Sequence, residues 1–331
     1  MLRLSVIVPC YNVEAFIPET IQSLRRASHP DIEFLFIDDK STDRTSELLE
    51  ELAPSLPGTR LLHNSENRGL SGARNVGIDA SQGSYLAFLD ADDFVAAGYY
   101  EQLLAQIERL GCDLVRTDHV QVRGRRRSVH RIPYGPRGVV SSPRRAILPG
   151  DRMTSVDSPY CWAGIYSRRL VDRGLLHFNE SLRTCEDRPW NWRLHLGAES
   201  FAVIGLAGLF YRRDVPASLT QTSGTRQFDF LKAFDQIVAD VLSDRDVEAL
   251  LPKALRSYVA MICHHLKRVE TAERATTSQG GFTYDAETGT TLRSLCAEAL
   301  GALPQAELRA MLVTLDEPRR SVVHRLLESA R

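Results

Sequence analysis

The feature that most constrains this chain is a short apolar run that ends in three carboxylates. The run Tyr85-Leu86-Ala87-Phe88-Leu89 is rich in strand-forming residues, and Asp90, Asp92 and Asp93 follow it directly. An unbroken apolar run of this length is typical of a strand that is buried on both faces of a parallel sheet. Open α/β sheets bind ligands at the carboxyl ends of their strands. The run therefore predicts a ligand site at a strand end, and an acidic turn before a helix is the alternative interpretation.

Asp90 and Asp92 are two positions apart, so on a continuing strand their side chains point the same way. Two neighbouring carboxylates repel each other, and a bound Mg²⁺ or Mn²⁺ relieves that repulsion. The spacing thus predicts both residues as ligands of a divalent cation. Asp93 is expected to cap the helix that follows.

Strand and helix patterns alternate over the first 90 residues. Helical patterns separate the predicted strands and end near Pro30, Leu52 and Gly77. This alternation predicts a mainly parallel sheet with right-handed crossovers. The predicted strands are Leu4–Pro9, Ile32–Ile37, Arg60–His63 and the run that opens at Tyr85.

The middle of the chain is expected to continue this domain. A helix is predicted from about Gly98 to Leu110, and a strand from Asp113 to about Val122. The arginine-rich segment 123–127 opens an excursion to Gly150 that is mobile or covers the site. Its arginines are expected to form a solvated loop, and contact with an anionic acceptor is the alternative.

Beyond about Gly224 the sequence shows helical patterns alone, at 228–242, 247–269, 292–300 and 307–327, with a Gly/Thr-rich break at 276–290. The pattern predicts two domains, an α/β domain over 1–224 and a helical region over 225–331. An apolar stripe in this region must be buried, against the α/β domain or in a homodimer, and the region is expected to contribute acceptor binding or self-association. The stripe consists of Leu251, Leu255, Val259, Ile262 and Leu266.

Composition excludes several classes of protein. The net charge of −1 gives no field for nucleic acid, so no nucleic-acid partner is expected. Six cysteines without C-x-x-C spacing indicate reduced thiols rather than a disulfide framework or a zinc site. No apolar run approaches the roughly 18–20 residues that a membrane span requires. We expect a cytoplasmic protein, with peripheral contact at the inner face of the membrane as an alternative.

Five segments together resemble the inverting glycosyltransferases of family 2, which have the GT-A fold. The resemblance covers roughly residues 1–220 and implies a Rossmann-like α/β fold: a mainly parallel central sheet flanked by helices, followed here by an all-helical appendage. It also implies a nucleotide-sugar donor, most commonly a UDP-sugar, and a glycan, cell-surface polymer or lipid-linked acceptor. The segments are Ser5–Asn12, Ile37–Asp43, Asn67–Gly77, Phe88–Asp93 and Glu186-Asp187.

The donor needs its base and ribose held and its diphosphate neutralised. Asp38 or Asp39, at a predicted strand end, is able to accept hydrogen bonds from a uracil N–H or ribose hydroxyls, and an acidic helix cap is the alternative. Pro9 and Tyr11 would line the base pocket, as the resemblance also suggests. Arg74 follows small residues, so it is placed to pair with phosphate oxygens, unless it is a surface arginine on a helix.

In the family's D-x-D pattern, which Asp90-Ala91-Asp92 resembles, the first aspartate contacts ribose or metal. Asp92 is then the more direct metal ligand, with substrate phosphates completing the coordination. The three residues are therefore predicted to bind the donor, with Mg²⁺ or Mn²⁺ as cofactor.

Glu186-Asp187 supplies the candidate general base. Pro189 favours the first turn of a helix, so Asp187 is predicted at a helix N-terminus. Inverting transfer requires one carboxylate to take the proton of the acceptor hydroxyl. The resemblance selects Asp187 as this base, with Glu186 orienting it or binding acceptor. A helix cap with an acidic companion is the alternative.

The chain departs from the family pattern at two places. Lys40 stands where the family usually has glycine, and Ala163-Gly164 replaces the Asn-Lys that usually follows Trp162. Trp162 is predicted either to stack on a sugar or to lie in the core. The segment Tyr211-Arg212-Arg213 resembles a late strand whose basic residue reaches the donor phosphates when a loop closes.

Two other functions compete with a glycosyltransferase. A sugar-phosphate nucleotidyltransferase also combines an α/β sheet with paired aspartates, but it usually has a Gly-rich basic loop after the first strand, where this chain has Pro9-Cys10-Tyr11-Asn12. A non-catalytic binding protein of the GT-A type is the second alternative, although every expected carboxylate is present. Because fold alone does not decide function, the prediction rests on these carboxylates and Arg74.

Overall fold

The structure is a computed structural model that describes residues 2–213, 225–274 and 286–329. The chain divides into two compact units. The first unit comprises Met1–Ala146, Thr154–Ser181 and Trp190–Val215, and the second comprises Ile147–Met153, Leu182–Pro189 and Pro216–Arg331. The division into a catalytic domain over 1–224 and a helical region over 225–331 stays a proposal.

The elements follow the predicted alternation through the first four strands. The strands are β1 (Leu4–Cys10), β2 (Ile32–Asp38), β3 (Thr59–His63), β4 (Tyr85–Phe88), β5 (Phe94–Val95), β6 (Leu114–Thr117), β7 (His119–Arg123), β8 (Arg126–His130), β9 (Gly164–Ser167), β10 (Phe201–Ile204) and β11 (Leu209–Arg212). The helices are α1 (Ile17–Arg26), α2 (Thr45–Leu52), α3 (Gly69–Ala80), α4 (Tyr99–Leu110), α5 (Arg169–Asp172), α6 (Asp187–Gly197), α7 (Asp229–Leu242), α8 (Val247–Arg274), α9 (Ala286–Ala302), α10 (Gln305–Leu312) and α11 (Glu317–Ser329).

A seven-stranded sheet forms the centre of the first unit, in the order β10-β6-β9-β4-β1-β2-β3. Its strands are parallel except β9, which runs antiparallel to both of its neighbours, β4 and β6. β1 and β2 are buried along their whole length, as expected where helices cover both faces of a parallel sheet. The predicted fold class, a mainly parallel α/β sheet with a helical C-terminal region, is confirmed.

The helix α3 lies close against this sheet because Gly77 has no side chain. A Cβ atom at Gly77 would lie 2.4 Å from Cγ2 of Ile7 and 2.9 Å from Cδ1 of Ile37, which is too near for any larger residue. A residue without a side chain is therefore required at this position for α3 to pack on β1 and β2. This packing fixes where α3 presents Arg74.

The single strand predicted from Asp113 to Val122 is wrong, because the chain changes sheets at Asp118. The Asp118 carboxylate accepts hydrogen bonds from the Ile132 amide at 2.9 Å and from Arg137 at 2.7 Å, which hold the chain where β6 ends and β7 begins. β7 belongs to a second, four-stranded sheet with the order β5-β11-β7-β8. A local hydrophobic pattern does not record these two partners, which are distant in sequence.

The arginine-rich segment 123–127 forms the turn of the hairpin between β7 and β8. Gly124 has a φ of 51° there, a left-handed conformation that favours glycine. Its side chains and all of β8 are exposed. Residues 123–130 of the predicted excursion thus belong to a hairpin, and the predicted solvated arginines agree with the exposed turn. That the excursion is mobile or covers the site stays a prediction.

Helices form the bulk of the second unit. The apolar stripe of α8 is buried, with its five side chains between 0 and 6% exposed, and α7, α9, α10 and α11 pack around α8. The stripe therefore gives no support to self-association, and the homodimer stays an untested prediction. The helix predicted over 307–327 is two helices, α10 and α11, and Pro318 lies in the first turn of α11, where it is tolerated. Residues 276–285 of the predicted break lie outside the described residues. Among the helices that the structure describes, none is long and apolar enough to cross a membrane.

Candidate active site

The loop that follows β4, residues 89–93, carries the three predicted aspartates, and we call it the aspartate loop. Hydrogen bonds to its backbone hold it in place. The Leu89 amide bonds to the Ile7 carbonyl at 3.0 Å, which continues the pairing of β4 with β1. The Thr20 hydroxyl of α1 is 2.8 Å from the carbonyl of Ala91 and 3.0 Å from that of Asp93. Asp90, Ala91 and Asp92 therefore lie at the carboxyl end of a central strand, where the sequence predicts the site.

Arg74 is buried and forms an ion pair with Asp90. Its Nη2 lies 2.8 Å from Asp90 Oδ1, its side chain is 3% exposed, and the guanidinium stands 5.1 Å from the ring centre of Phe178. The alternative of a surface arginine is thus excluded. Arg74 lies beside the D-x-D pair, and its contact with a diphosphate stays a prediction.

The environment of Asp92 disfavours its ionised form. Burial, and next to it the negative charge of Asp90, raise the pKa of Asp92 to about 6. A cation held between the two side chains would oppose both effects. No group of three or more metal-ligating side chains occurs within the described part of the chain. Two carboxylates fit a Mg²⁺ or Mn²⁺ ion that takes its other ligands from substrate phosphates and water.

The prediction that Asp93 caps the next helix is wrong. Asp93 is fully buried, and its Oδ1 accepts a hydrogen bond from the Arg212 amide at 2.8 Å, so it joins the aspartate loop to β11. Burial, together with the charges of Asp92 and Asp90, raises the pKa of Asp93 well above its usual range. β5 separates Asp93 from α4, which begins instead after Gly98, whose φ is 66°.

The two basic residues at the end of β11 and directly after it have partners within the first unit. Arg212 forms an ion pair with Glu19 at 2.8 Å and lies over the ring of Phe94 at 4.8 Å. Arg213 donates a hydrogen bond to the Tyr211 hydroxyl at 2.9 Å. Movement of these residues toward donor phosphates stays a prediction, and residues 214–224 lie outside the described part of the chain.

The two acidic residues at the end of β2 have different environments. Asp39 accepts three hydrogen bonds, from Asn64 at 2.8 Å and from the amides of Arg68 at 2.9 Å and Gly69 at 2.7 Å, so it caps the start of α3. Asp38 has longer contacts, 3.2 Å to the Ser41 amide and 3.4 Å to His63 Nδ1. Of the two predicted donor-binding residues, Asp38 is therefore the more available.

Pro9 and Tyr11 lie at the end of β1. Pro9 is a buried residue of the strand, whereas Tyr11 is 48% exposed, so its ring is open to stacking. Across the turn, Lys40 has a φ of 60°. The glycine that the family usually has at this position would adopt that left-handed conformation without steric cost, whereas lysine pays roughly 1–2 kcal/mol. Lys40 therefore presents an exposed ammonium group on a residue with left-handed backbone conformation.

The predicted base lies at the beginning of α6, in the second unit. Asp187 is the first residue of this helix, and Pro189 lies in its first turn, as predicted. Cys185, two residues earlier, has a φ of 59°, and Glu186 is buried. A carboxylate at a helix N-terminus is stabilised in its ionised form. The roles of Asp187 and Glu186 stay predictions.

Sequence reasoning missed Arg116, a fully buried residue of β6. Its guanidinium donates to four oxygens: Asn191 Oδ1 at 2.7 Å and the carbonyls of Ser158, Tyr160 and Ala163 at 2.7, 3.0 and 3.2 Å. These bonds hold the segment that carries Trp162. An arginine inside the apolar strand Leu114-Val115-Arg116-Thr117 is the signal that indicates such a buried network.

Comparison with known proteins identifies the family. A model of the family described as glycosyl transferase family 2 matches residues 5–175, which is more than half of the chain and includes the aspartate loop. This chain belongs to glycosyl transferase family 2. Membership favours a glycosyltransferase over the nucleotidyltransferase alternative.

Relatives of this family 2 chain are named as glycosyltransferases. The uncharacterized glycosyltransferase EpsJ of Bacillus subtilis is 34% identical over 217 residues, which are 66% of this chain and 62% of that relative. The poly(ribitol-phosphate) beta-N-acetylglucosaminyltransferase TarS of Staphylococcus aureus is 26% identical over 248 residues, 73% of this chain and 41% of TarS. The chain thus spans less than two thirds of the length of these relatives.

Solved structures of TarS have the same fold. TarS 1–349 of S. aureus in complex with UDP-GlcNAc aligns with a TM-score of 0.71 and 19% identity, over 99% of this chain and 92% of that one. The complex of the same fragment with UDP aligns with a TM-score of 0.69. At this identity the likeness establishes the fold alone.

Proposed function

We propose that this chain is an inverting, metal-dependent glycosyltransferase. It transfers a sugar from a nucleoside-diphosphate donor, a UDP-sugar, to a hydroxyl of a glycan, a cell-surface polymer or a lipid-linked precursor. The observation that carries the proposal is the pair Asp90 and Asp92 at the carboxyl end of β4, where burial raises the pKa of Asp92 to about 6. Family membership and the UDP and UDP-GlcNAc complexes of TarS support a UDP-sugar donor.

The residues of the first unit have distinct roles in donor binding. Tyr11 stacks on the base, and Asp38 accepts hydrogen bonds from the base or the ribose. Asp92, with Asp90, would hold a Mg²⁺ or Mn²⁺ ion. When bound, the ion neutralises the charge that develops on the leaving diphosphate. Arg74 pairs with Asp90 and adds positive charge on the phosphate side.

Asp187 is the proposed base. Its place at the N-terminus of α6 favours the ionised carboxylate, which takes the proton of the attacking acceptor hydroxyl. Glu186 orients this carboxylate or binds acceptor. With one base and no nucleophile of the protein in the reaction, the acceptor hydroxyl displaces the diphosphate in a single step. This step inverts the configuration of the anomeric carbon, so an α-linked donor gives a β-linked product.

Calorimetry with UDP tests the metal and the donor together. Wild-type protein should bind UDP at least tenfold more tightly with Mn²⁺ or Mg²⁺ than in chelator. Asp92→Ala should lose this difference, because it removes the direct metal ligand. Asp79→Ala, which removes an exposed carboxylate of α3, should behave as wild type. Equal affinity with metal and with chelator would contradict the metal site.

Thermal stabilisation by a panel of UDP-sugars with Mn²⁺ then identifies the donor. A donor that stabilises the protein should also be hydrolysed or transferred in solution. Binding without either reaction, across a broad panel of acceptors, would support the non-catalytic alternative.

A further inference from the structure

Four aromatic side chains of the first unit form one cluster. Two of them lie on β7 and β11 of the second sheet, and two lie in the segment before β9. We call His119, Tyr160, Trp162 and Tyr211 the aromatic cluster. The ring centre of His119 lies 4.9 Å from that of Trp162, 5.1 Å from Tyr160 and 6.2 Å from Tyr211. Tyr160 stacks on Trp162 at 4.7 Å, and Tyr211 lies 5.0 Å from Trp162. His119 and Trp162 are buried, whereas the two tyrosines are partly exposed and form the outer part of the cluster.

A hydrogen bond made by the residue after Tyr211 connects the aromatic cluster to the aspartate loop. Tyr211 precedes Arg212, whose amide donates to the Asp93 carboxylate at 2.8 Å, and Asp93 follows Asp92 in the chain. Burial raises the pKa of Tyr211 to about 12, and the negative charge of Asp90 contributes to this increase. The cluster therefore lies next to the place where the D-x-D pair would hold a donor diphosphate.

His119 is the buried polar group of the aromatic cluster. Its side chain is 3% exposed, and neither Nδ1 nor Nε2 has a hydrogen-bond partner among the described residues. Burial, with smaller contributions from His130 and Arg116, lowers its pKa to about 4, so the imidazole is neutral and offers one donor and one acceptor. Buried polar groups without partners are rare in folded proteins, and each requires an explanation.

We propose that the aromatic cluster is the subsite for a neutral pyranose ring of the acceptor. This inference rests on the proposed function. A pyranose has an apolar face of C–H groups, which fits the rings of Tyr160 and Tyr211, and a rim of hydroxyls, one of which bonds to His119. An uncharged imidazole between aromatic rings suits a neutral sugar rather than a phosphate, which is bound by cationic side chains. Arg213 donates to the Tyr211 hydroxyl at 2.9 Å, so the preference for a neutral ring rests on the imidazole and on the faces of the aromatic rings.

Saturation-transfer-difference NMR with a panel of methyl glycosides tests the subsite directly. Aromatic protons of the protein are irradiated, and transfer to the C–H protons of the sugar is measured with and without saturating UDP and Mn²⁺. Wild-type protein should bind at least one methyl glycoside saturably. Tyr160→Ala and Tyr211→Ala should each weaken that binding about tenfold. Tyr134→Ala, a matched change at a half-buried tyrosine packed on Phe201, should stay within twofold of wild type.

The variant His119→Phe distinguishes a binding role from a structural one. It keeps a buried ring and removes two polar atoms that have no hydrogen-bond partner in the described part of the chain, so the melting temperature should not fall. Loss of one neutral hydrogen bond should weaken glycoside binding about three- to tenfold. His119→Gln, which retains a donor and an acceptor, is the second variant if the larger ring disturbs packing, and it should bind more tightly than His119→Phe.

Three results would overturn the inference. These are no saturable binding of any methyl glycoside, unchanged binding in folded Tyr160→Ala and Tyr211→Ala, and a loss of UDP-sugar affinity in these variants with UDP affinity retained. The last result would assign the cluster to the donor sugar. Failure of wild-type protein to bind UDP would contradict the proposed function instead. The two failures are distinguishable, because the measurement without UDP and Mn²⁺ reports on glycoside binding alone.

Discussion

Replacement of Arg116 should destabilise the first unit strongly. The guanidinium is fully buried and donates to four neutral oxygens at 2.7 to 3.2 Å. A hydrogen bond from a charged group contributes about 1.5–3 kcal/mol, so four such bonds set an upper bound of about 6–12 kcal/mol. Arg116→Met removes the charge together with the donors, so the cost that remains is that of buried acceptors left without a donor, about 1–3 kcal/mol each. Relaxation and water entry satisfy some of these acceptors and reduce the total. We expect a loss of about 3–5 kcal/mol for Arg116→Met.

Arg116→Lys should lose less, about 2 kcal/mol, because it keeps the charge but an ammonium group does not reach four acceptors in a planar fork. The assay is urea unfolding followed by tryptophan fluorescence. All three tryptophans, Trp162, Trp190 and Trp192, belong to the first unit, so the signal reports on that unit alone.

The matched control is Arg109→Met, which removes an exposed arginine whose bonds go to Gln106 on the same helix. This change should alter the free energy of unfolding by less than about 0.5 kcal/mol. If Arg116→Met lowers the free energy of unfolding by less than about 1 kcal/mol, with an unchanged denaturant slope, Arg116 does not stabilise the segment 158–163 as described.

Four further predictions concern chemistry and pH. Asp92→Ala should abolish transfer while leaving the far-UV circular dichroism spectrum unchanged, because the residue follows a strand end and does not fill the core. Asp187→Asn should lower turnover about 10²–10⁴-fold with little change in the affinity for UDP, and Glu186→Gln should lower it less; the opposite ranking would exchange their roles, and loss of UDP binding in both would place the base elsewhere. The anomeric coupling in the NMR spectrum of the product should show a β-linkage from an α-linked donor, and an α-linkage would exclude inversion. Burial lowers the pKa of His195 to about 4 from 6.5, so the unfolded state binds more protons in this range; stability is complete above pH 6.5 and should fall by about 3 kcal/mol as the pH drops to 4, a loss that His195→Gln should reduce in unfolding experiments.

Local patterns predict the parts of this molecule that depend on neighbours in sequence. The four strands up to β4, the start of α6 at Asp187 and the placement of Asp90 and Asp92 at a strand end follow from apolar runs, Pro189 and carboxylate spacing. The rest depends on contacts between distant segments. Asp93 is bonded to Arg212, 119 residues away, and no local pattern distinguishes that role from a helix cap. The change of sheet at Asp118 has the same origin.

The antiparallel strand β9 also determines the order in which the first unit is able to fold. Strands β3, β2, β1 and β4 are complete once the ribosome has synthesised residue 88, and each pairs with a neighbour in that group. β4, however, keeps an open edge until residues 164–167 arrive to cover it. Unpaired edges recruit other strands, and long-range pairing is slow. The nascent chain is therefore most prone to aggregate between these two points of synthesis, and substitutions that delay β9 should reduce the yield of soluble protein more than its final stability.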